Sequence, residues 1–491
     1  MNMSSVGCKL LLIALTSATS LCAHAGVDLI AVGSISGSYE DLSNDTAAPL
    51  ENGVAGNRLG GLGSGLAYAG GDTFLAVPDR GPNAVPYASS IDDTVSYINR
   101  FQTLNLSLAP NPDYNPSDPS SLLFVLTPTL RNTTLLSSVT ALVYGTGAGL
   151  SENDGTSIGS GEPAINRRFS HYFTGRSDNF DPGKPSTNPN NARLDSEGIR
   201  VSNDGLSVFV SDEYGPYVYQ FNRFTGQRVR AFKLPDNLAI TTLSPQKDVE
   251  IGGNTAGRVT NKGMEGLAIT PDGKTLVGVM QANLEQDKKG SLRIVTIDIQ
   301  SGATREYGYR LSDGSGVSEI VAVNNHQFLV DERDGSGMAD TPLLTDTASA
   351  ATVKKLYLID LDGAPDVSAV AVLDLKSNPS QAVHKEAFLD IVAKLTAAGI
   401  NAFFIPSKLE GVAFGQDVVI NGETKHTLYV ANDNDFLATI ADPLKLPGDP
   451  TRGMVPNPNQ FYVFAFSDSD LPGYVPQPTA PRPLLECGTG H

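Results

Sequence analysis

"LDSEGIRVSNDGLSVFVSDEYGPYVYQF", the stretch from Leu194 to Phe221, decides the fold. It opens with a Glu-Gly pair, passes through an apolar run, an Asn-Asp-Gly turn and a second apolar run, and then reaches the acidic pair Asp212 and Glu213. Short runs rich in Val, Ile, Tyr and Phe between glycine-containing turns are typical of antiparallel strands. The stretch therefore predicts a small antiparallel sheet that carries carboxylates at its strand ends.

The same unit recurs along the chain. Glu265 and Glu410 open two further copies with the same Glu-Gly pair. Glu319 opens a looser copy, and Ser64 replaces the glutamate in the copy nearest the N-terminus. Sheets of three or four strands cannot bury both faces alone, but repeated sheets arranged radially bury each other. We therefore predict an all-β fold, a single β-propeller of five or six blades over residues 26–470.

Three segments depart from the repeat. Residues 105–190 are rich in Asn, Pro, Ser and Gly and are expected to form a long loop-rich insertion. Residues 380–398 predict one short amphipathic helix on the propeller or over one mouth, with Ser380 as the N-cap and Gly399 just past the end. The residues that carry its helical spacing are Phe388, Ile391, Val392 and Leu395. Residues 471–491 are expected to form an extended Pro-rich tail.

The N-terminus predicts export. Lys9 is followed by an apolar run from Leu10, and small residues at Ala23 and Ala25 suit cleavage after Ala25. The run is shorter than the ~20 residues that a membrane span needs. Residues 1–25 are therefore interpreted as a signal peptide, and the mature protein as secreted or periplasmic. Nothing later in the sequence is apolar enough to span a membrane.

The net charge of the chain restricts the classes of partner that it can bind. The formal net charge of −18 argues against a nucleic-acid partner, because phosphate backbones bind basic surfaces. An acidic chain suits the binding of hard cations through carboxylate oxygens.

The inner strands of a propeller converge on a central channel, so the repeated carboxylates should meet there and repel each other. Calcium, which takes 6–8 oxygen ligands in irregular cages, would relieve that repulsion. The predicted ligands are Glu197, Glu265, Glu319, Glu410, Asp79, Asp331, Glu332 and Asp433.

An alternative for the Glu of each Glu-Gly pair is cross-bracing, in which it accepts backbone N–H groups of a neighbouring blade. Asp212 and Glu213 are the better candidates for catalytic residues, because a packed strand end does not need two acids. Arg80 and Arg333, which follow or flank the acidic pairs, are predicted to be catalytic as well. Basic residues that precede a first strand predict a small anionic substrate. These predicted substrate-binding residues are Arg58, Arg193, Lys262 and Lys408. The alternative is that each basic residue forms a salt bridge with the same acids.

Four segments together resemble the phytase-like family, which is also described as having the esterase-like activity of phytase. The segments are Gly63–Asn83, Leu194–Phe221, Asn261–Leu276 and Lys408–Asp435, and the resemblance extends over most of the chain. It implies a propeller fold and hydrolysis of phosphate esters or other esters.

Three functional hypotheses follow. The first is an exported Ca²⁺-dependent hydrolase of phosphate esters. The second is a metal-dependent lactonase or carboxylesterase, for which Asn432 and Asn434 would suit the channel. The third is a binding propeller without enzymatic activity whose calcium is structural. The sequence leaves the oligomeric state open.

Overall fold

A computed structural model describes residues 26–82, 94–145, 161–244 and 247–479. The expected signal peptide, and the tail from residue 480 onward, lie outside the described residues. Among the residues described, no helix has the length and hydrophobicity needed to cross a membrane.

The fold is a five-bladed β-propeller, which confirms the predicted architecture at the lower of the two blade numbers. Each blade is an antiparallel sheet of four strands, ordered from the channel outward. Blade I comprises Gly65–Tyr68, Thr73–Val77, Arg100–Pro110 and Phe124–Leu135. Blade II comprises Ser196–Val201, Ser207–Asp212, Tyr217–Asn222 and Arg228–Lys233. Blade III comprises Met264–Ile269, Thr275–Met280, Ser291–Asp298 and Thr304–Arg310. Blade IV comprises Gly316–Ala322, Gln327–Arg333, Lys354–Asp360 and His384–Asp390. Blade V comprises Leu409–Phe414, Glu423–Asn432, Asn459–Phe466 and Asp28–Ile35.

Blade V closes the ring with strands from both ends of the propeller. Its outer strand, Asp28–Ile35, pairs antiparallel with Asn459–Phe466. A short additional strand, Val418–Ile420, pairs with the second strand of the same blade. The N-terminal strand therefore completes blade V.

The hydrophobic core lies between the blades. Five clusters of buried apolar side chains occupy the five spaces between neighbouring blades. Between blades V and I, for example, the rings of Phe74 and Tyr429 lie 4.5 Å apart. The blades therefore bury each other's faces, as the alternation of apolar residues in short strands requires.

The glycine of the Glu-Gly pair, which blade I keeps after Ser64, allows the inner strands to approach closely. A Cβ on Gly65 would lie 2.2 Å from the carbonyl oxygen of Glu197 in blade II. A Cβ on Gly266 would lie 2.7 Å from the Cα of Glu319 in blade IV. Any side chain at these positions would push neighbouring inner strands apart, so the motif is a packing requirement of the channel wall.

Residues 105–190 contain more blade structure than a loop-rich insertion would. Their beginning lies within the third strand of blade I, and Phe124–Leu135 is the fourth strand of that blade. Two-residue strands at Ser137–Ser138 and His171–Tyr172 pair with each other beyond it.

The predicted helix is present but shorter than expected. It spans Ile391–Ala397, and its N-cap is Asp390, whose side chain accepts a hydrogen bond from the Ala393 amide. Ser380 lies in a 3₁₀ turn, so its assignment as the N-cap was wrong. Phe388 lies in the outer strand of blade IV, where pairing with Lys354–Asp360 overrides the helical spacing. Gly399 follows the helix with φ of 82°, as predicted.

Smaller elements connect the blades. A second helix spans Lys247–Gly253, and a two-stranded ribbon joins Thr439–Ala441 to Met454–Pro456. The 3₁₀ turns are Asn44–Thr46, Asp236–Leu238, Pro379–Gln381 and Ala402–Phe404.

The C-terminal segment lies over one mouth of the channel. The Val475 amide donates to the Val323 carbonyl at 2.8 Å, and Gln477 Nε2 donates to the Val201 carbonyl at 2.8 Å. The ring of Tyr474 packs against that of Phe414 at 4.5 Å. These contacts are made where the inner strands end, so the opposite mouth, where they begin, is the place for a site.

Candidate metal and anion site at the channel mouth

A polar cavity of about 90 Å³ lies at the mouth where the inner strands begin. The antiparallel pairing of each blade brings the end of its second strand to the same mouth, so both sets of polar residues meet. The lining carries six carboxylates and three basic side chains. These residues, with two amides, are Asp79, Arg80, Glu197, Glu213, Asn261, Glu265, Gln281, Arg333, Lys408, Glu410 and Asp433.

Three buried carboxylates converge at one side of this cavity. One oxygen from each of Asp195, Glu197 and Glu213 lies within 4.8 Å of the others. Burial raises the pKa of Glu197 well above its usual value, and neighbouring carboxylates raise it further. None of the described residues makes a hydrogen bond or a salt bridge to the Glu197 carboxylate, which is buried. This acidic cluster has the oxygen donors and the geometry to bind a metal ion.

Arg80 holds the acidic cluster from the side of blade I. Its Nη1 atom lies 2.7 Å from Asp195 Oδ2 and 3.8 Å from Glu213 Oε2. Its backbone amide donates to Asp195 Oδ1 at 3.0 Å. Asp195 is therefore oriented by two bonds from a single residue. Arg80 lines the cavity, as its predicted role requires.

Asp195 is a functional candidate that the sequence analysis did not assign. It precedes Glu197 by two positions, where the other repeats carry Leu62, Gly263, Val317 and Lys408. Because no other repeat has an acid there, the repeat pattern gave no signal. The informative feature was the local excess of acids in blade II alone.

Asp212 supports the cluster and does not line the cavity. Its Oδ1 atom accepts hydrogen bonds from the amides of Asp195 at 3.1 Å and Tyr214 at 3.0 Å. Burial raises its pKa to about 7. Glu213, by contrast, faces the cavity, and its Oε1 atom accepts a hydrogen bond from the Gly263 amide at 3.1 Å. The two members of the acidic pair thus point in different directions, as alternation along a strand end dictates.

A second acidic group lies across the cavity. Arg333 pairs through Nη2 with Glu410, and the same atom lies 3.9 Å from Glu265 Oε1. Gln281 Nε2 donates to Glu265 Oε1 at 2.8 Å, and Glu265 Oε2 is buried without a hydrogen-bond partner in the described part of the chain. Gln281 occupies the position in blade III that Glu213 has in blade II. Because Gln281 is an amide, the pattern of repeated carboxylates does not include it.

Lys408 links the remaining acids. Its ammonium group lies 2.9 Å from Asp433 Oδ2 and also pairs with Asp435. Burial raises the pKa of Asp79 well above its usual value, and the Asp433 carboxylate raises it further. Asp79 Oδ1 accepts a hydrogen bond from the Gly81 amide at 3.0 Å. Both predicted ligands therefore reach the cavity, but Lys408 occupies one of them.

Glu319 does not line the cavity, because a β-bulge falls at a different residue in blade IV. In blades III and V the pairing register shifts at Glu265 and Glu410, which places the glutamate on the bulge. In blade IV the shift falls at Ser318, so Glu319 stays in register opposite Asp331. A shift of one residue turns a side chain to the other face of a strand. The expected equivalence of the four glutamates therefore fails at this position.

Glu319 instead braces the inner strands. Its Oε1 atom accepts hydrogen bonds from the amides of Leu267 and Ile320, each at 3.0 Å. Its Oε2 atom lies 3.1 Å from Arg200 Nη2. Burial raises the pKa of Glu319 to about 7, although the Arg200 charge opposes the shift. This is the cross-bracing alternative considered for the Glu-Gly acids.

Arg200 lies at the centre of the channel and was also missed. Its guanidinium donates to backbone carbonyls of the inner strands of four blades, and its partner Glu319 accepts from the fifth. The carbonyl acceptors are Leu66, Ile199, Ile320 and Val412. Blades I, III and V carry alanine at the corresponding position, namely Ala67, Ala268 and Ala413, and the bulge of blade IV places Val321 there. These smaller side chains leave room at the axis for one large one, and that contrast was the available signal.

Asp331 and Glu332 lie in the interior of blade IV, outside the cavity. Glu332 faces blade III, where it accepts a hydrogen bond from Tyr309 Oη at 2.7 Å and pairs with Lys385. Burial opposes ionisation of Glu332, but the hydrogen bond from Lys385 lowers its pKa overall. Asp331 is fully buried, and neither of its oxygens has a hydrogen-bond partner among the described residues. Neither carboxylate shares a cavity with the acidic cluster.

The other predicted basic residues also lie outside the cavity. Arg58 donates to the Gly37 carbonyl at 3.3 Å, near the outer edge of blade V. Arg193 is buried against Phe180, with its guanidinium carbon 4.6 Å from the ring centroid. Lys262 lines a neighbouring pocket that shares Gln281 and Arg333 with the channel cavity.

Five blades around an acidic channel mouth define this chain as a β-propeller protein with its polar site on the axis. The chain belongs to the phytase-like family, whose model, described as "Esterase-like activity of phytase", matches residues 57–436. An "uncharacterized secreted protein" of Arthroderma benhamiae is 31% identical in an alignment of 294 residues, with 51% of this chain and 51% of that protein covered. This chain thus spans about half the length of the curated relative that it matches.

Solved propellers are similar at lower levels. The periplasmic gluconolactonase of Pseudomonas aeruginosa is 11% identical, with 90% of this chain and 99% of that chain covered and a TM-score of 0.31. A putative 6-phosphogluconolactonase of Bacteroides uniformis is 11% identical, with 80% and 86% covered and a TM-score of 0.28. These similarities are too low to support a conclusion about activity.

Proposed function

We propose that this protein is an exported hydrolase that uses a divalent cation, Ca²⁺, to act on phosphate esters. The observation that carries the proposal is the convergence of Asp195, Glu197 and Glu213 within 4.8 Å, beside the basic side chains of the same cavity. Family membership supports ester hydrolysis as the reaction class. The name of the fungal relative supports export.

The donor set fits a hard cation. All three groups are carboxylates, and the cavity contributes no histidine or cysteine among the residues described. Oxygen-only ligands favour calcium or magnesium over zinc or copper. Calcium is proposed because it accepts irregular coordination and a mixture of protein oxygens, water and substrate.

The chain's own residues would orient the substrate. Calcium, when bound, would supply a Lewis acid for the ester oxygen and a bound water of lowered pKa. Arg333 Nη1 has no hydrogen-bond partner among the described residues, so it is available to donate to an anionic oxygen. Arg80 fixes Asp195 and limits the net charge of the acidic cluster. Glu265 Oε2 is buried and has no partner among the residues that the structure describes, so it is available to accept a proton or a hydrogen bond inside the cavity.

A carboxylesterase or lactonase is the second candidate, because the family description names an esterase-like activity. Asn432 and Asn434, which the sequence analysis offered for this reading, are engaged elsewhere. Asn432 Oδ1 accepts from the Gln460 amide, and Asn434 Oδ1 accepts from the Gly61 amide. Asn261 lines the cavity instead and provides a neutral oxygen there.

The deciding experiment compares substrates with and without calcium. The purified protein is assayed with p-nitrophenyl phosphate, bis-p-nitrophenyl phosphate, phytate, p-nitrophenyl acetate and a δ-lactone, in Ca²⁺ and in EGTA. We expect turnover of the phosphate esters that EGTA abolishes. Turnover confined to the acetate or the lactone would favour the second candidate.

A matched pair of variants tests the assigned acids. Glu197→Gln removes one carboxylate of the cluster, and Glu423→Gln makes the same change at a side chain that is 72% exposed. We expect loss of turnover in the first and wild-type turnover in the second. Calcium-induced stabilisation without turnover of any substrate would instead support a binding propeller with structural calcium.

A further inference from the structure

A second polar pocket lies beside the channel cavity, between blades III and IV. Its volume is about 130 Å³, and it shares Gln281 and Arg333 with the cavity. Its floor is a seam between the blades, in which the Val317 amide donates to the Gln281 carbonyl at 3.1 Å. The remaining lining is small, with Ala282, Gly316 and Gly335 leaving the space open. We refer to it as the side pocket.

The charge of the side pocket is opposite to that of its surroundings. Lys262 and Arg333 line it, and no carboxylate of the described residues does. The adjoining cavity carries six carboxylates, and the whole chain has a net charge of −18. A pocket with cations and no acid, next to an acidic site, is suited to a negatively charged group that the acidic cluster alone would repel.

Both cations have donors to spare. The Lys262 side chain is exposed and has neither an ion pair nor a hydrogen bond to any residue that the structure describes. Arg333 uses Nη2 for Glu410 and Nε for Ser318, which leaves Nη1 without a partner among those residues. The surrounding acids are therefore not the partners of Lys262, contrary to the salt-bridge alternative. An anionic oxygen could receive hydrogen bonds from both residues.

We propose that the side pocket binds an anionic group of the substrate while the scissile ester lies in the channel cavity. This inference rests on the proposed hydrolase function and adds the substrate class, a small ester that carries a separate carboxylate, phosphate or sulfate. Arg333 contacts both spaces, so it would align the two ends of such a molecule. Lys262 is then a specificity residue for the charged end.

Equilibrium binding tests the pocket without requiring turnover. Glutarate, inorganic phosphate and sulfate are titrated by calorimetry into the wild type and Lys262→Met, both in EGTA. The control is Lys274→Met, which makes the same change in blade III at a side chain that is 78% exposed near the opposite mouth. We expect Lys262→Met to weaken the tightest-binding anion about tenfold and Lys274→Met to leave it unchanged. The anion that binds tightest identifies the charged group.

A second variant and a kinetic ratio complete the test. Ala282→Glu places a carboxylate in the side pocket and should weaken anion binding as well. For the enzyme in Ca²⁺, kcat/KM for phosphoglycolate, a phosphate ester that carries a separate carboxylate, relative to ethyl phosphate should fall about tenfold in Lys262→Met. Equal anion affinity in the wild type and Lys262→Met, or no binding by the wild type, would overturn the inference. Binding that depends on Lys262 in a protein without turnover would instead leave the pocket standing and reject the hydrolase.

Discussion

Arg200 of blade II and Glu319 of blade IV form a buried salt bridge, with Nη2 and Oε2 3.1 Å apart, where the five inner strands meet. Together their side chains bond to backbone groups of every blade. The pair separates the channel into two parts. The acidic cavity lies on one side, and an apolar space of about 60 Å³, partly lined by Tyr474 and Gln477, lies on the other.

Removal of the arginine should destabilise the whole ring. Arg200→Met leaves Glu319 as a buried charge without its partner and leaves backbone carbonyls unsatisfied. We expect the free energy of unfolding to fall by about 3–5 kcal/mol, measured by urea denaturation. Arg131→Met, at an exposed strand position in blade I, should change it by less than about 0.5 kcal/mol. An unchanged urea midpoint for Arg200→Met would show that the pair does not brace the ring.

Calcium and the Glu197 carboxylate should have opposite effects on stability. Without a cation, Glu197→Gln removes repulsion from a crowded buried cluster, so the variant should unfold at the same temperature as the wild type or higher in EGTA. With calcium at one hundred times its dissociation constant, the wild type should gain about 2.7 kcal/mol and the variant much less. The unfolding temperatures of both proteins, measured in EGTA and in calcium, test this expectation. Equal calcium shifts in the two proteins would place the ion elsewhere.

The geometry of Arg80, beyond its charge, should matter for metal affinity. Arg80→Lys keeps one positive charge and the backbone hydrogen bond to Asp195 Oδ1, but it loses the guanidinium whose Nη1 atom holds Asp195 Oδ2. We expect calcium affinity, measured by calorimetry, to fall about 10–100-fold. Arg58→Lys, outside the cavity, is the control and should retain wild-type affinity. Equal affinities in both variants would mean that Asp195 needs no such support.

One histidine should give the fold a modest pH dependence. His426 lies between Asp417 and Asp468, with nitrogen–oxygen distances of 2.8 and 2.9 Å. Burial opposes protonation, but hydrogen bonds to the two carboxylates outweigh it and raise the pKa of His426 above its usual value. Its stabilising effect is therefore complete below the unfolded-state pKa of about 6.5 and is lost as the pH rises through the higher folded-state value.

The expected size of this effect is less than about 1 kcal/mol, because both carboxylates are substantially exposed. It is measured from the free energy of unfolding of the wild type and His426→Gln across this pH range. The difference between the two proteins should shrink as the pH rises. A difference that grows with pH would contradict the assignment.

The repeat was predictable from the sequence because each blade carries its own signals. Glu-Gly pairs, short apolar runs and turns are local features, and the radial packing follows from the need to bury both faces. The convergence of Glu197, Glu265 and Glu410 at one mouth follows from the same repeat. The helix boundary failed because Phe388 lies in a strand whose pairing with Lys354–Asp360 overrode a local spacing.

The exceptions to the repeat were not predictable in the same way. The bulge at Ser318 turns Glu319 to the axis, and a bulge depends on backbone pairing that the sequence pattern does not express. Arg200 and Asp195 each stand alone at their position among the repeats, so comparison of repeats favoured residues that are shared over residues that are unique. In this molecule the unique residues supply the brace and one carboxylate of the cluster.

Blade V has a consequence for the order of folding. Its outer strand, Asp28–Ile35, is made first, but its partner Asn459–Phe466 is made hundreds of residues later. Until then the early strand presents an open edge, and the sequence separation makes its pairing slow. We expect blade V to form last during refolding. The backbone amides of Asp28–Ile35 and Asn459–Phe466 should then become protected from hydrogen exchange at the same time. Each of the other blades is built from one continuous segment of the chain, so we expect strand pairing in blade V to limit the folding rate of the whole protein.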